Sequence, residues 1–107
     1  MLQIEFIIRP EKVQAVSDAL AKIGVMAMTR VPVIGRGKQS GLKVGDILYK
    51  DLPKELVKIV IRDELKELVV KTIIETARTG QGNHGDGRVF VFPVTEAYTI
   101  RTGEMDS

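Results

Sequence analysis

The sequence predicts an α+β domain of order βαββαβ, an antiparallel sheet with two helices packed on one of its faces. Three observations predict it. Residues 2–8 alternate apolar with polar in the period of a half-buried strand. Residues 10–23 and 63–76 repeat apolar side chains at helical spacing. Three further runs rich in β-branched and aromatic residues, 25–34, 55–62 and 88–94, are placed so that each helix lies between two strands.

In the first strand Leu2, Ile4, Phe6 and Ile8 mark the buried side, and Ile7 breaks the alternation, so the second side is expected to be partly covered too. Pro10 suits a first helical turn, where its missing N–H costs nothing, and Val13, Val16, Ala19, Leu20 and Ile23 form the inner face of a helix that Gly24 stops. The second strand, 25–34, contains Pro32, which cannot donate to a ladder and implies a sheet edge or a bulge. A long connection, 35–54, leads to the third strand, 55–62, and the two strands are expected to pair as a hairpin with that connection at its tip. Asp63 is read as the N-cap of the second helix. Its inner face is Leu65, Leu68, Val69, Thr72, Ile73 and Thr76, its solvated face Glu64, Lys66, Glu67, Lys71 and Glu75, and Gly80 follows as its C-terminal glycine. The fourth strand, 88–94, puts Phe90 and Phe92 on one face, and the polar tail 95–107 has Tyr98 and Ile100 as anchors. This order is the ferredoxin-like, split-βαβ arrangement. With both helices on one face, Ile7, Ala27, Val31 and Leu56 or Lys58 are expected on the other, which a self-associating oligomer would cover.

Composition narrows the function. A chain of 107 residues with 44% apolar content is one domain, 1–107, with enough apolar material for a core. A formal net charge of +2 with dispersed basic residues and no run of aromatics argues against a nucleic-acid interface. The absence of cysteine removes disulfide frameworks and thiolate metal sites. No apolar run approaches the ~20 residues of a membrane span, and the N-terminal residues read as a strand rather than a signal peptide, so a cytoplasmic protein without direct membrane insertion is expected.

Two glycine-rich stretches stand out. The connection 35–54 holds Gly35, Gly37, Gly41 and Gly45 together with Arg36, Lys38, Lys43, Lys50 and Lys54. A connection this long is usually functional or disordered; glycine lets backbone N–H groups turn toward an anion, and lysine supplies the opposite charge. The second stretch, Thr79-Gly-Gln-Gly-Asn-His-Gly-Asp-Gly-Arg88, also adjoins a strand, and together the two suggest one phosphate-binding cleft. Neither contains a Walker A sequence, so a P-loop is not supported, and a surface loop without a ligand is the plain alternative. His84, the only histidine, reads as solvated or loop-shaping rather than as a metal ligand.

The residues that resolve this are Ile-Ile-Arg-Pro-Glu-Lys at 7–12, Met28-Thr29, Gly35-Arg-Gly-Lys-Gln-Ser-Gly41, Leu52-Pro-Lys54, Thr76-Ala-Arg-Thr-Gly80, Gly85-Asp-Gly-Arg88 with Val89-Phe-Val-Phe92, and Ile100-Arg-Thr-Gly-Glu104. Together they resemble the PII nitrogen-regulatory signal-transduction family over nearly the whole chain. The shortened connection and the Ala-Tyr-Thr-Ile-Arg-Thr-Gly-Glu tail are most similar to its nitrogen-fixation-linked variants. The resemblance implies a homotrimer, a mobile loop at 35–54 that docks on a target, and ATP or ADP held between protomers, with Mg²⁺ and ATP supporting 2-oxoglutarate. Residue by residue, it implies nucleotide binding by Ile7, Thr29, Gly35, Gly37, Lys38, Gln39, Val60, Gly85, Asp86, Gly87, Arg88 and Arg101. It implies 2-oxoglutarate binding by Gln39, Ser40, Gly41 and Lys54, and Mg²⁺ ligation by Gln39. No residue is given a catalytic role. The implied target is nitrogenase, with a paired paralogue as a further partner; a general PII protein acting on an ammonium transporter or glutamine synthetase is the alternative. Slow ATP hydrolysis lacks an evident general base, and an RNA-binding domain would need an aromatic sheet motif the chain lacks. The chain departs from the family in its shorter connection, the absence of a tyrosine near the loop tip, extra residues before Gly85, and Thr99 where the family has an arginine.

Overall fold

The computed structural model describes residues 1–38 and 49–106. Strand β1 (Leu2–Ile8) leads through a 3-10 turn (Pro10–Lys12) into helix α1 (Val13–Lys22). Strands β2 (Thr29–Lys38) and β3 (Tyr49–Ile61) follow, then a second 3-10 turn (Asp63–Leu65), helix α2 (Lys66–Ala77) and strand β4 (Arg88–Pro93). The sheet order is β2-β3-β1-β4 and every neighbouring pair is antiparallel. This is the ferredoxin-like arrangement that the order of elements predicts.

The period-2 pattern of β1 sets the layering. Ile4, Phe6 and Ile8 are buried, and register places Ile4 opposite Ile59 and Phe6 opposite Val57. Val13, Val16 and Leu20 of α1 and Val69, Ile73 and Ala77 of α2 close over that face and complete the core. Each large side chain of this set contributes about 1.5–3 kcal/mol by leaving water, which makes this layer the main source of stability. Gly24, at φ +88, ends α1, and Val25 then turns back to fill the core.

Several sequence expectations are corrected. The second strand begins at Thr29 rather than residue 25, because Val25 is drawn into the helix layer. The hairpin arms are longer than expected: the ladder runs to Lys38↔Tyr49, so residues 35–38 and 49–54 are strand, not loop. Asp63 is not an N-cap; the position before the turn is Arg62, and the Asp63 carboxylate receives the N-terminal ammonium of Met1. Leu68 is exposed, since the buried stripe of α2 runs Val69, Ile73, Ala77 at i, i+4 spacing. Arg78 is already extended, so Gly80, at φ +57, serves the following turn and not the helix end.

Among the described residues the opposite sheet face has no helix. Register puts Gln3, Glu5 and Ile7 of β1, Leu56, Lys58 and Val60 of β3, Val31 of β2, and Phe90 and Phe92 of β4 on it. Phe90 and Phe92 stack at 6.5 Å between centroids and remain about 40% open to solvent (38% and 42%). Ala27 precedes β2 rather than joining this face. Pro32 and Pro93 both fall on edge strands, where a missing N–H is tolerated.

Candidate anion-binding site

The end of β1, the start of β4 and the base of the β2–β3 hairpin meet at one corner of the sheet. Ile7 pairs with Arg88 on one side and Leu56 on the other, so the turn before Arg88 is held against β1. The approach is closest at Gly87. A Cβ built there would lie 1.8 Å from the carbonyl oxygen of Ile7, and φ is +110. Only glycine fits, because both the backbone angle and the neighbouring strand forbid a side chain.

The turn is shaped by Asp86. Its carboxylate accepts from the Thr79 hydroxyl (2.7 Å), the Thr79 N–H (3.2 Å), the Asn83 N–H (2.8 Å) and Arg9 Nε (3.3 Å). Burial opposes ionisation of this group, but the donated hydrogen bonds outweigh it and hold the pKa down at about 2. The Asn83 amide also donates to the Thr79 carbonyl and hydroxyl, each at 3.0 Å. Arg9 spans Gly85 from both sides, with Nη2 donating to the His84 carbonyl (3.1 Å) and Nε to Asp86.

Lys54 enters the same corner from β3. Its Nζ donates to the Gly85 carbonyl at 2.6 Å, and among the described residues no carboxylate lies within ion-pair distance of it. Burial, and after it the positive charge of Arg9, push the Lys54 pKa down. A Cβ on Gly85 would meet Arg9 Nη2 at 3.2 Å and Lys54 Nζ at 3.5 Å, and one on Gly35 would meet Lys54 Cγ at 3.1 Å. A partly desolvated ammonium whose hydrogen-bond partner is a neutral carbonyl favours an incoming anion.

The expected site residues thus fall into two groups. Ile7, Gly35, Lys54, Gly85, Asp86, Gly87 and Arg88 share this corner, with Gly37 further out on the hairpin. Asp86 is turned into its own turn rather than toward a ligand, its oxygens engaged by protein donors. Thr29 and Val60 lie on the open face toward its other end; Val60 pairs with Gln3, four residues along β1 from Ile7, or about 13 Å at strand rise. The tail of Arg101 forms its own hairpin, bridged at Tyr98↔Met105, and among the described residues the hydrogen bonds of 95–106 are internal to it. Gln39, Ser40 and Gly41, and with them the expected Mg²⁺ ligand, lie outside the described residues, as does the side chain of Lys38. Arg36, counted among the basic residues of the connection, is bound by Asp51 across the hairpin at 2.6 and 3.2 Å. That hydrogen bond raises its pKa and occupies the charge within the protein. A surface hollow of about 590 Å³ between α2 and the β4 edge holds none of the expected residues. A smaller one of about 360 Å³ abuts Asp86, Gly87 and Arg88.

Arg9, Thr79 and Asn83 were not singled out from the sequence as site residues. The readable signal was an aspartate between two glycines, which needs donors from somewhere, and an arginine fixed at a strand end by the following Pro10.

Residues 1–104 match the family model described as nitrogen regulatory protein P-II. The chain belongs to the P-II family. It is 49% identical over 104 residues, 97% of both chains, to nitrogen fixation nifHD region GlnB-like protein 1 of Methanothermococcus thermolithotrophicus. The same identity and coverage link it to nifHD1 region GlnB-like protein 1 of Methanosarcina barkeri. It is 39% identical over 119 residues to nifHD1 region GlnB-like protein 2 of that organism, covering 97% of this chain and 94% of that one. The nitrogen-fixation-linked resemblance read from the tail and connection is thus matched by the names of its relatives. P-II proteins are regulatory signalling proteins that generally bind ATP or ADP and 2-oxoglutarate. Among the described residues no helix of this P-II protein is long and apolar enough to cross a membrane. Its departures from the family also find physical roles. Thr99 donates from its hydroxyl to Asp106 at 2.7 Å and closes the tail hairpin, and the stretch 81–84, in which two residues read as extra, supplies the Asn83 N–H to Asp86 and the His84 carbonyl to Arg9.

Proposed function

We propose that this P-II protein binds ATP or ADP at the Gly85–Arg88 corner and, with Mg²⁺, senses 2-oxoglutarate through Lys54. The observation that carries the reading is the Lys54 ammonium, partly desolvated beside Arg9 and held by a neutral carbonyl. It is a cation placed where a dianion would gain most. The positive-φ glycines 85 and 87 leave backbone groups uncovered for a close ligand, and exposed Arg88 adds charge beside them. Gln39 would hold Mg²⁺ together with the phosphates, and Ser40 and Gly41 would complete the effector site. The metal would bridge phosphate and carboxylate charge.

The geometry of one chain supports assembly as a homotrimer. Thr29 and Val60 lie toward the other end of the open face in their own protomer, so a shared nucleotide site needs a second copy to supply them. The helix-free sheet face, with Ile7, Val31, Leu56, Val60, Phe90 and Phe92, offers an apolar surface for that contact. The β2–β3 hairpin then presents the effector state to a target. The names of its relatives favour nitrogenase, and the existence of proteins 1 and 2 in one organism favours a paired paralogue as partner.

Calorimetry tests the reading. The protein with Mg-ATP is titrated with 2-oxoglutarate, beside Lys54→Ala. Retained ATP binding with 2-oxoglutarate binding weakened at least tenfold is expected, the scale of one charge-assisted contact at about 1.4 kcal/mol. Equal loss of both ligands, or unchanged effector affinity, would refute the assignment.

A further inference from the structure

We propose that the Lys54–Gly85 hydrogen bond is a latch that couples occupancy of the carboxylate site to the shape of the 79–87 turn. The inference rests on the reading of Lys54 as the carboxylate's partner. Lys54 reaches from β3 to a carbonyl that belongs to a different element, 31 residues away in sequence, and the contact is short at 2.6 Å. The two cations Arg9 and Lys54 both stand beside Gly85, at 3.2 and 3.5 Å from where a Cβ would stand. Arg9 is already committed to Asp86 and to the His84 carbonyl, while among the described residues the hydrogen-bond partner of Lys54 is the Gly85 oxygen.

A carboxylate arriving at Lys54 is a stronger acceptor than a peptide carbonyl, because it sets a formal negative charge against the ammonium. The ammonium has three N–H donors, so the carboxylate displaces the Gly85 oxygen by repelling it and drawing Nζ out of the corner, not by taking the last donor. The carboxylate wins, and Gly85 loses its donor. Asp86 keeps its bonds to Thr79, Asn83 and Arg9, so the release is confined to the peptide planes about Gly85. Both Gly85 (φ +92) and Gly87 (φ +110) have the freedom to absorb it. Because Arg88 follows directly, the release reaches the start of β4, and the turn becomes a route between effector and nucleotide that runs through the protein itself. Such coupling is reciprocal, so a ligand that fixes the turn must also alter Lys54.

Amide hydrogen exchange of residues 80–88, with β1 amides as internal reference, tests the latch alongside calorimetry. In the ligand-free protein, Lys54→Met should raise exchange in the turn about tenfold, as one lost hydrogen bond to a charged donor predicts, and leave β1 unchanged. Adding 2-oxoglutarate and Mg-ATP to the parent protein should loosen the Gly85 amide region relative to Mg-ATP alone. A turn indifferent to Lys54→Met overturns the latch, as does equal loosening of β1, which marks global destabilisation. Calorimetric binding of 2-oxoglutarate with no change in the turn overturns the coupling while leaving the effector site standing. Absence of calorimetric binding removes the effector assignment and the latch together, and that outcome is read without exchange data.

Discussion

Replacing Gly87 by alanine is the sharpest test of how the corner is built. A methyl group at this position meets the Ile7 carbonyl oxygen at 1.8 Å and the Ile7 carbonyl carbon at 2.9 Å. Neither atom is the end of a flexible side chain. Both belong to the central strand, which pairs with β3 and β4 at once. Two responses are open to the chain. It can move Gly87 away, which unpairs the Ile7↔Arg88 end of the β1–β4 ladder and loses one or two hydrogen bonds at about 0.5–1.5 kcal/mol each. It must in either case hold alanine at φ near +110 or rebuild the turn, at a cost of about 1–3 kcal/mol. The sum is about 2–5 kcal/mol, which for a domain of this size corresponds to a fall in melting temperature of roughly 10–30 °C. A thermal melt followed by circular dichroism at fixed protein concentration reads it directly. A loss of less than about 3 °C would mean that the strand and turn are not in the contact described, and the reasoning about this corner would fail with it.

Three other perturbations separate structural from binding roles. Gly37→Ala has negative φ and open space around its Cβ, so stability should stay the same or rise by up to about 1 kcal/mol in the same melt, while loss of nucleotide affinity would mark a backbone approached by phosphate. Arg101→Ala should weaken ATP binding by about 1.5–3 kcal/mol in calorimetry without shifting the melting temperature of the ligand-free protein, because its tail hairpin is held by Thr99, Gly103 and Asp106; unchanged affinity would remove it from the site. Asp86 has a folded pKa of about 2, depressed below the unfolded carboxylate value, so its contribution to stability is complete above about pH 4 and lost as pH falls through about 2; Asp86→Asn should flatten the acid limb of a stability-against-pH profile, and an unaltered limb would refute the network.

The layering of the fold was legible because β1 and the two helices obey simple periods. Ile4, Phe6, Ile8, Val13, Val16, Leu20, Val69 and Ile73 sit where the alternation or the helical stripe puts them. What misled was glycine and aspartate taken as punctuation. Gly35 and Gly37 read as loop residues, yet cross-strand pairing with Leu52 and Lys50 keeps them in the ladder, and the Arg36–Asp51 pair between them supports it. Asp63 reads as a cap, but a charge nearby in space, the N-terminal ammonium, took its carboxylate. Leu68 falls on the outer side because the buried stripe of α2, Val69, Ile73 and Ala77, is too narrow to take in the residue about 100° round the helix from Val69. At the candidate site, motif and charge name Gly85, Gly87 and Lys54 but not Arg9, Thr79 and Asn83. Their roles depend on a three-dimensional approach of β1 to the turn that no spacing in the sequence encodes.

The same approach explains why regulation can be built on so small a chain. The helix side of the sheet is sealed by aliphatic packing and offers few degrees of freedom. The corner is different: it is held by polar contacts, with Asp86 engaged by several protein donors and Lys54 by one neutral carbonyl. Asp86 is surrounded by protein donors, so a ligand gains little by competing for it. Lys54 is bound to a neutral acceptor, so an anion gains by displacing that acceptor. A device with one rigid polar anchor beside one exchangeable cation can change the turn without disturbing the core. Because Lys54 belongs to β3, one arm of the β2–β3 hairpin, the proposed displacement of its partner would act within that hairpin. A differential of about 1.4 kcal/mol there is a tenfold change in partner affinity, within reach of the single contact described.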